Sequence, residues 1–165
     1  SELIKFAIDN KINYVSLSYV KDPLQVIELK KVLQGYDVKV VGKVETMEAV
    51  EEMSNLQNII QESDKIMIDR GDLSKAVGFE KVPAHQKKII DQCKLLDKEV
   101  IVATGNLISM IESDQPSCGE IANIYYSLLE GANYIMLSEE TAMGKHPIEA
   151  VKIVNKILNE FYNHK

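Results

Sequence analysis

The sequence predicts an α/β fold of parallel βα repeats, a partial TIM-type (β/α)8 barrel with about five strands. Three observations predict it. Apolar runs alternate with segments of helical periodicity along all 165 residues, and successive strand-like runs start roughly 25 to 35 residues apart. The runs are apolar at consecutive positions, as in a parallel sheet covered on both faces. Short polar stretches close three of them: GKVE (Gly42 to Glu45), DRGD (Asp69 to Asp72) and SEET (Ser138 to Thr141). Such stretches fall at strand carboxyl ends, where βα folds carry their working residues.

Each element has its own justification. Residues 2–10 (ELIKFAIDN) have a helical pattern, and residues 12–20 (INYVSLSYV) read as the first strand. Asp22 caps a helix over 23–33 that Pro23 opens. Residues 38–45 (VKVVGKVE) form the second strand, and Thr46 caps one continuous helix over 47–60 with acids near its start. A third strand covers 65–72 (KIMIDRGD), followed by a loop containing Gly78 and a helix over 84–97. The fourth strand covers 99–105 (EVIVATG). A loop around Gln115 leads into a helix over 120–130 that Gly131 ends. The fifth strand covers 133–141 (NYIMLSEET), and Pro147 opens the last helix. No linker or low-complexity stretch divides the chain, so residues 1–165 read as a single partial barrel domain. Five units are too few for a closed eight-stranded barrel. The convergent polar strand ends favour the later part of a barrel over an open doubly wound sheet, since no G-x-G-x-x-G turn occurs.

Bulk properties narrow the function. A net charge of −6 argues against a nucleic-acid binder, which needs clustered Lys and Arg. It leaves room for a phosphorylated substrate, because one metal ion and a few local cations can reverse the field in a cleft. Two cysteines, Cys93 and Cys118, without a C-x-x-C pair, and three scattered histidines do not make a zinc site; free thiols suit a reducing cytoplasm. No apolar run is long enough for a membrane span and no signal peptide opens the chain, which starts at Ser1 without Met and reads as a processed form or a fragment.

Glu45 and Asp72 fall on neighbouring strand ends with Lys43 beside them. Two hard oxygen donors and a cation are the material of a Mg²⁺ or Mn²⁺ site next to a bound anion. A lone acid at a strand end is as often a cap or a solvated charge; the pair with its lysine lowers that reading. Ser138 and Glu140, two apart on a strand, would share a face.

The ordered set KVE, RGDL, VAT and MLSEETAMGKHPIEAV resembles the second half of the catalytic barrel of pyruvate kinase, with support from SLSYVKD, FEKVPAHQKKII and SMI. The resemblance covers nearly the whole chain. The preceding half of the barrel, the lid domain and the carboxyl-terminal regulatory domain are outside it. It implies that Glu45 and Asp72 bind the divalent metal and that Lys43 faces the phosphoryl group in flight, where spread charge needs a fixed cation. It also implies that the Gly71 and Asp72 N–H groups hold the substrate carboxylate, that Arg70 shapes the site, and that Ser18 lies beside the pocket. Thr104 would touch the substrate, and Ser138 and Glu140 would form a proton path to the enolate carbon.

The resemblance implies phosphoryl transfer from phosphoenolpyruvate to ADP in the complete enzyme, with pyruvate as product. ADP or ATP would bind only with the missing half supplied, and the family's K⁺ site is absent here. This chain alone should not turn over. Departures from the family pattern are Asp69 for alanine, Gly105 for glutamine, Glu139 for glycine, Cys118 for arginine, Tyr19 for phenylalanine, and Tyr125 and Tyr126 in a small-residue run. Asp69, Gly105 and Glu139 support another reading, a non-catalytic or regulatory relative. A further one is a metal-dependent lyase acting on pyruvate-like acids, since the same metal pair could stabilise an enolate without ADP; Lys43 weighs against it. A half-barrel leaves open sheet edges, so the chain is expected to belong to a larger polypeptide, to pair with another copy, or to rearrange its strands.

Overall fold

Parallel strands buried on both faces need helices above and below them, and hydrophobic runs joined by amphipathic helices supply both. A computed structural model describes residues 2–164. The chain divides into two units, residues 1–100 and 101–165.

In the first unit, helix α1 (Glu2–Asp9) precedes strand β1 (Tyr14–Leu17), helix α2 (Pro23–Val32) and strand β2 (Lys39–Val44). Helices α3 (Met47–Glu51) and α4 (Met53–Glu62) lead to strand β3 (Lys65–Asp69), and helices α5 (Arg70–Val77) and α6 (Val82–Leu95) follow. Strand β1 pairs with β2 and β2 with β3, both parallel; Val44 lies opposite Ile68. Val40, Val44, Ile66 and Ile68 are buried in the strands, and Val26, Leu56, Ile59, Ile60, Ile89 and Ile90 are buried from the helices. Each such side chain contributes about 1.5–3 kcal/mol when fully buried. Asp22 and Thr46 cap their helices as expected. The Asp22 carboxylate accepts from Leu24 N–H, and the Thr46 hydroxyl accepts from Ala49 N–H.

Strand β4 (Glu99–Ala103) straddles the division. In the second unit its last residues pair in parallel with β5 (Tyr134–Met136), Ala103 opposite Met136. Helices α7 (Cys118–Glu130), α8 (Glu139–Ala142) and α9 (Pro147–Asn163) complete it. Its core joins Leu107, Met110, Ile124, Leu128, Val154 and Phe161, with Tyr125 edge-on to Phe161 at 5.5 Å between centroids. Gly131 ends α7 in the left-handed conformation, φ 119°, as expected. Parallel pairing with alternating helices makes the chain α/β. No helix among the described residues is long and apolar enough to cross a membrane.

Several boundaries differ from the sequence expectation. The first strand covers Tyr14–Leu17 rather than 12–20, and the chain turns left-handed at Tyr19, φ 54°. The helix over 47–60 is interrupted at Glu52, which is extended, φ −99° and ψ 126°. Its apolar positions suit one helix; the break is stabilised by the Asn55 amide, which donates to Glu48 O and Lys21 O. The third strand stops at Asp69, and RGDLSKAV is a helix, not a strand end and loop. Leu73 and Val77, four apart, are both buried, and the Ser74 hydroxyl donates to Gly71 O. The fourth strand stops at Ala103 because Thr104 and Gly105 both turn left-handed, φ 66° and 72°. The fifth stops at Met136, and Ser138 begins the helical turn of α8. Ser138 and Glu140 therefore do not share a strand face.

Candidate active site

The register of β2 and β3 builds the site in the first unit. Val44 lies opposite Ile68 as the last pair of the two strands; Glu45 follows β2 directly and Asp69 is the last residue of β3. Asp72 joins them from the first turn of α5. Each of the three acids offers an oxygen within 4.8 Å of the others. Lys43 sits two residues before Glu45 on the same face of β2. Its ammonium lies 3.0 Å from Glu45 Oε2 and 3.0 Å from Asp69 Oδ2. Lys75, one turn along α5, lies 2.8 Å from Asp72 Oδ1. Three carboxylates against two ammonium groups leave one net negative charge.

Glu45 is nearly inaccessible, 1% exposed. Its Oε1 accepts the Tyr19 backbone N–H at 2.7 Å. Its Oε2 is buried without a directed hydrogen bond, although the Lys43 ammonium is close enough to be an ion pair. We read that contact as charge attraction only, because the approach lies off the hydrogen-bonding direction. A buried carboxylate oxygen in that state is costly unless a cation completes it. Burial works against the Lys43 charge, but the close carboxylates of Glu45 and Asp69 outweigh it and hold its pKa above the ordinary lysine value.

Tyr19 follows β1 with a left-handed backbone, φ 54°, uncommon for a residue with a Cβ. Its phenol donates to Asp72 Oδ2 at 3.3 Å. The Asp72 charge, and then that hydrogen bond, raises the phenol pKa. Tyr19 thus touches both Glu45 and Asp72. An open cleft of about 500 Å³ runs beside them, lined among others by Tyr19, Glu45, Met47, Asp72 and Lys75. Ser18 is exposed one residue before Tyr19, and Arg70 and Gly71 are partly buried at the first two positions of α5. The first N–H groups of a helix have no partner within it, so Gly71 and Asp72 carry donors suited to an anion.

The second unit carries the remaining candidates. Thr104 is partly buried at the end of β4, in a conformation that is a marked outlier for a β-branched residue. Asn106 is fully buried and donates to Val102 O and Met136 O. Glu140 is also fully buried; its Oε1 accepts Leu107 N–H at 2.9 Å and its Oε2 accepts Ser138 N–H at 2.7 Å. The bond seen between Ser138 and Glu140 runs from the serine's backbone N–H to the carboxylate.

Sequence reasoning did not single out Lys75. Its signal was Lys at i+3 from Asp72, visible only once RGDLSKAV is seen as a helix. Lys43 was expected beside Glu45 and Asp72, and the structure pairs it with Glu45 and Asp69 instead.

The model of the pyruvate kinase barrel domain matches residues 1–151. The chain belongs to the pyruvate kinase family. It is 40% identical over 161 residues to the pyruvate kinase of Thermotoga maritima, covering 96% of this chain and 34% of that one. It is 42% identical over 158 residues to plastidial pyruvate kinase 2 of Arabidopsis thaliana, covering 94% of this chain and 27% of that one. The crystal structure of a pyruvate kinase from Cryptosporidium parvum superimposes with a TM-score of 0.92 at 30% identity, over 97% of this chain and 34% of that one. The chain thus spans about a third or less of the length of these pyruvate kinases, and its fold is that of a fragment of the barrel domain.

Proposed function

We propose that this chain supplies the phosphoenolpyruvate- and metal-binding part of a pyruvate kinase. In a complete polypeptide, that enzyme would transfer phosphoryl from phosphoenolpyruvate to ADP and protonate the enolate. The observation that carries the reading is the convergence of Glu45 and Asp72, with the Lys43 ammonium at Glu45, beside one cleft. Glu45 and Asp72 would hold Mg²⁺ or Mn²⁺. Hard carboxylate oxygens suit such an ion, and Glu45 Oε2 is a buried acceptor that a cation would complete. The bound ion would supply positive charge to the substrate's oxygens.

The protein's own groups do the rest of the work. Lys43 provides a fixed ammonium for charge spread over the transferring phosphoryl group. The Gly71 and Asp72 N–H groups, at the start of α5, receive the substrate carboxylate, and Arg70 and Ser18 shape the surroundings. Thr104 contacts the substrate through its hydroxyl. Ser138 passes the proton to the enolate carbon, and Glu140 positions Ser138 by holding its N–H. Nucleotide and K⁺ binding are assigned to parts of the relatives outside the matched third. A cytoplasmic setting and association with the rest of a longer chain or with another copy belong to the same proposal.

Calorimetry with Mn²⁺ plus oxalate on the wild-type chain, Glu45→Ala and Asp72→Ala tests it. Binding by the wild type alone is expected. Equal binding by all three would remove the site assignment. One observation favours a second reading, a binding or regulatory protein without turnover: Lys43 is committed to two carboxylates, one of them Asp69. Turnover on adding the complementary barrel half would exclude it.

A further inference from the structure

We propose that Asp69 is a third carboxylate ligand of the divalent-cation site. The inference rests on the reading of Glu45 and Asp72 as metal ligands and extends it to a residue that reading does not include. Three observations support it. Glu45 directly follows β2 and Asp69 ends β3, each one residue beyond the last paired positions, Val44 and Ile68, and the Lys43 ammonium lies 3.0 Å from both carboxylates. An oxygen of Asp69 lies within 4.8 Å of oxygens of both Glu45 and Asp72. Around an octahedral Mg²⁺ adjacent oxygens are about 3.0 Å apart and only one pair among three ligands can be opposite, at about 4.2 Å, so side-chain rotation would have to draw the three groups closer by up to about 1.8 Å. The third observation is the state of one member of the cluster, whose charged neighbour is the Lys43 ammonium. Glu45 Oε2 is buried, lacks a directed hydrogen bond, and belongs to a side chain that lines the cleft.

The ammonium of Lys43 bridges Glu45 and Asp69 at 3.0 Å to each, where a small cation would be shared between the two acids. Each carboxylate has two oxygens and about four acceptor positions. Lys43 and a dication can therefore share the pair, with the ammonium displaced toward the outer lone pairs by like-charge repulsion. A third anionic ligand raises affinity for the ion and replaces one of the waters it would otherwise retain.

The test counts those waters. Eu³⁺, a hard cation that takes oxygen ligands, is bound to the 165-residue chain, and its luminescence lifetime is measured in H₂O and D₂O. Asp69→Ala is expected to add about one inner-sphere water and to weaken binding roughly tenfold, the effect of removing one charged ligand. Asp69→Asn, which keeps the shape and removes the charge, is expected to weaken binding by a smaller factor, and it serves if the alanine variant fails to fold. Glu45→Ala is measured alongside. Unchanged water count and affinity in the Asp69 variants, with binding lost in Glu45→Ala, would overturn the role of Asp69 and leave the two-carboxylate site standing. Undiminished binding in Glu45→Ala would overturn the site itself.

Discussion

The two units bury one glutamate each in a similar setting, and they treat it differently. Glu45 and Glu140 both follow a strand closely, and both are out of contact with solvent. In the second unit each oxygen of Glu140 takes a backbone N–H, from Leu107 and from Ser138. In the first unit only one oxygen of Glu45 does, from Tyr19, and the other is left to Lys43 and the cleft. A buried carboxylate satisfied on both oxygens is a strut that ties two loops. One satisfied on a single oxygen retains a lone pair for chemistry. Burial alone does not distinguish them; the direction from which donors arrive does.

The largest expected effect tests that contrast directly. Glu140→Ala strands one buried and one partly buried N–H group and should cost roughly 2–5 kcal/mol of stability. Glu45→Ala strands one and relieves a poorly satisfied buried charge, so it should cost about 1–2 kcal/mol while abolishing cation binding. Urea unfolding without metal gives both values, and the opposite ranking would break the comparison.

A smaller effect sharpens it with a second strut in the same unit. Glu120 completes the capping box of α7 and accepts from Ser109 and Ser117. Burial pushes its pKa up, but those hydrogen bonds prevail and hold it below the ordinary value near 4.5. A carboxyl whose folded pKa is depressed stabilises the fold above its unfolded pKa, and that contribution disappears as pH falls through the folded value. The stability difference between wild type and Glu120→Gln should stay constant near neutrality and shrink as the pH drops below about 4.5. A difference independent of pH down to full protonation would show that the charge of Glu120 contributes nothing.

The smallest perturbation is chemical labelling, one thiol in each unit. Cys118 is exposed, whereas burial pushes the Cys93 thiol up to about 12. A thiol reagent should modify Cys118 at once and Cys93 only as the first unit opens. Equal rates would show that the first unit opens far more readily than its packing indicates.

Much of the architecture was legible in the sequence because long apolar runs and end signals act locally. Asp22, Thr46, Gly131 and Pro147 mark real helix ends. The errors fall where a short element is decided by contacts distant in sequence. The eight residues of α5 have only two apolar anchors, Leu73 and Val77, too few for a clear period. The break at Glu52 depends on Asn55 reaching Lys21, thirty-four residues away. The site shows the same division. Glu45 and Asp72 could be picked out from the polar stretches that close the apolar runs, although Asp72 lies in the first turn of α5. That Lys43 pairs with Asp69 while Asp72 pairs with Lys75 follows from strand register and helix phase, which no single motif encodes.

Tyr19 gives the chain an optical handle. There are seven tyrosines and no tryptophan, and Tyr19 is 55% exposed while its hydroxyl touches Asp72. Occupation of the acidic cluster would change the electric field across that one ring. Ultraviolet difference spectroscopy could then follow loading of the cleft in the unlabelled protein, and a phenylalanine at position 19 would silence the signal.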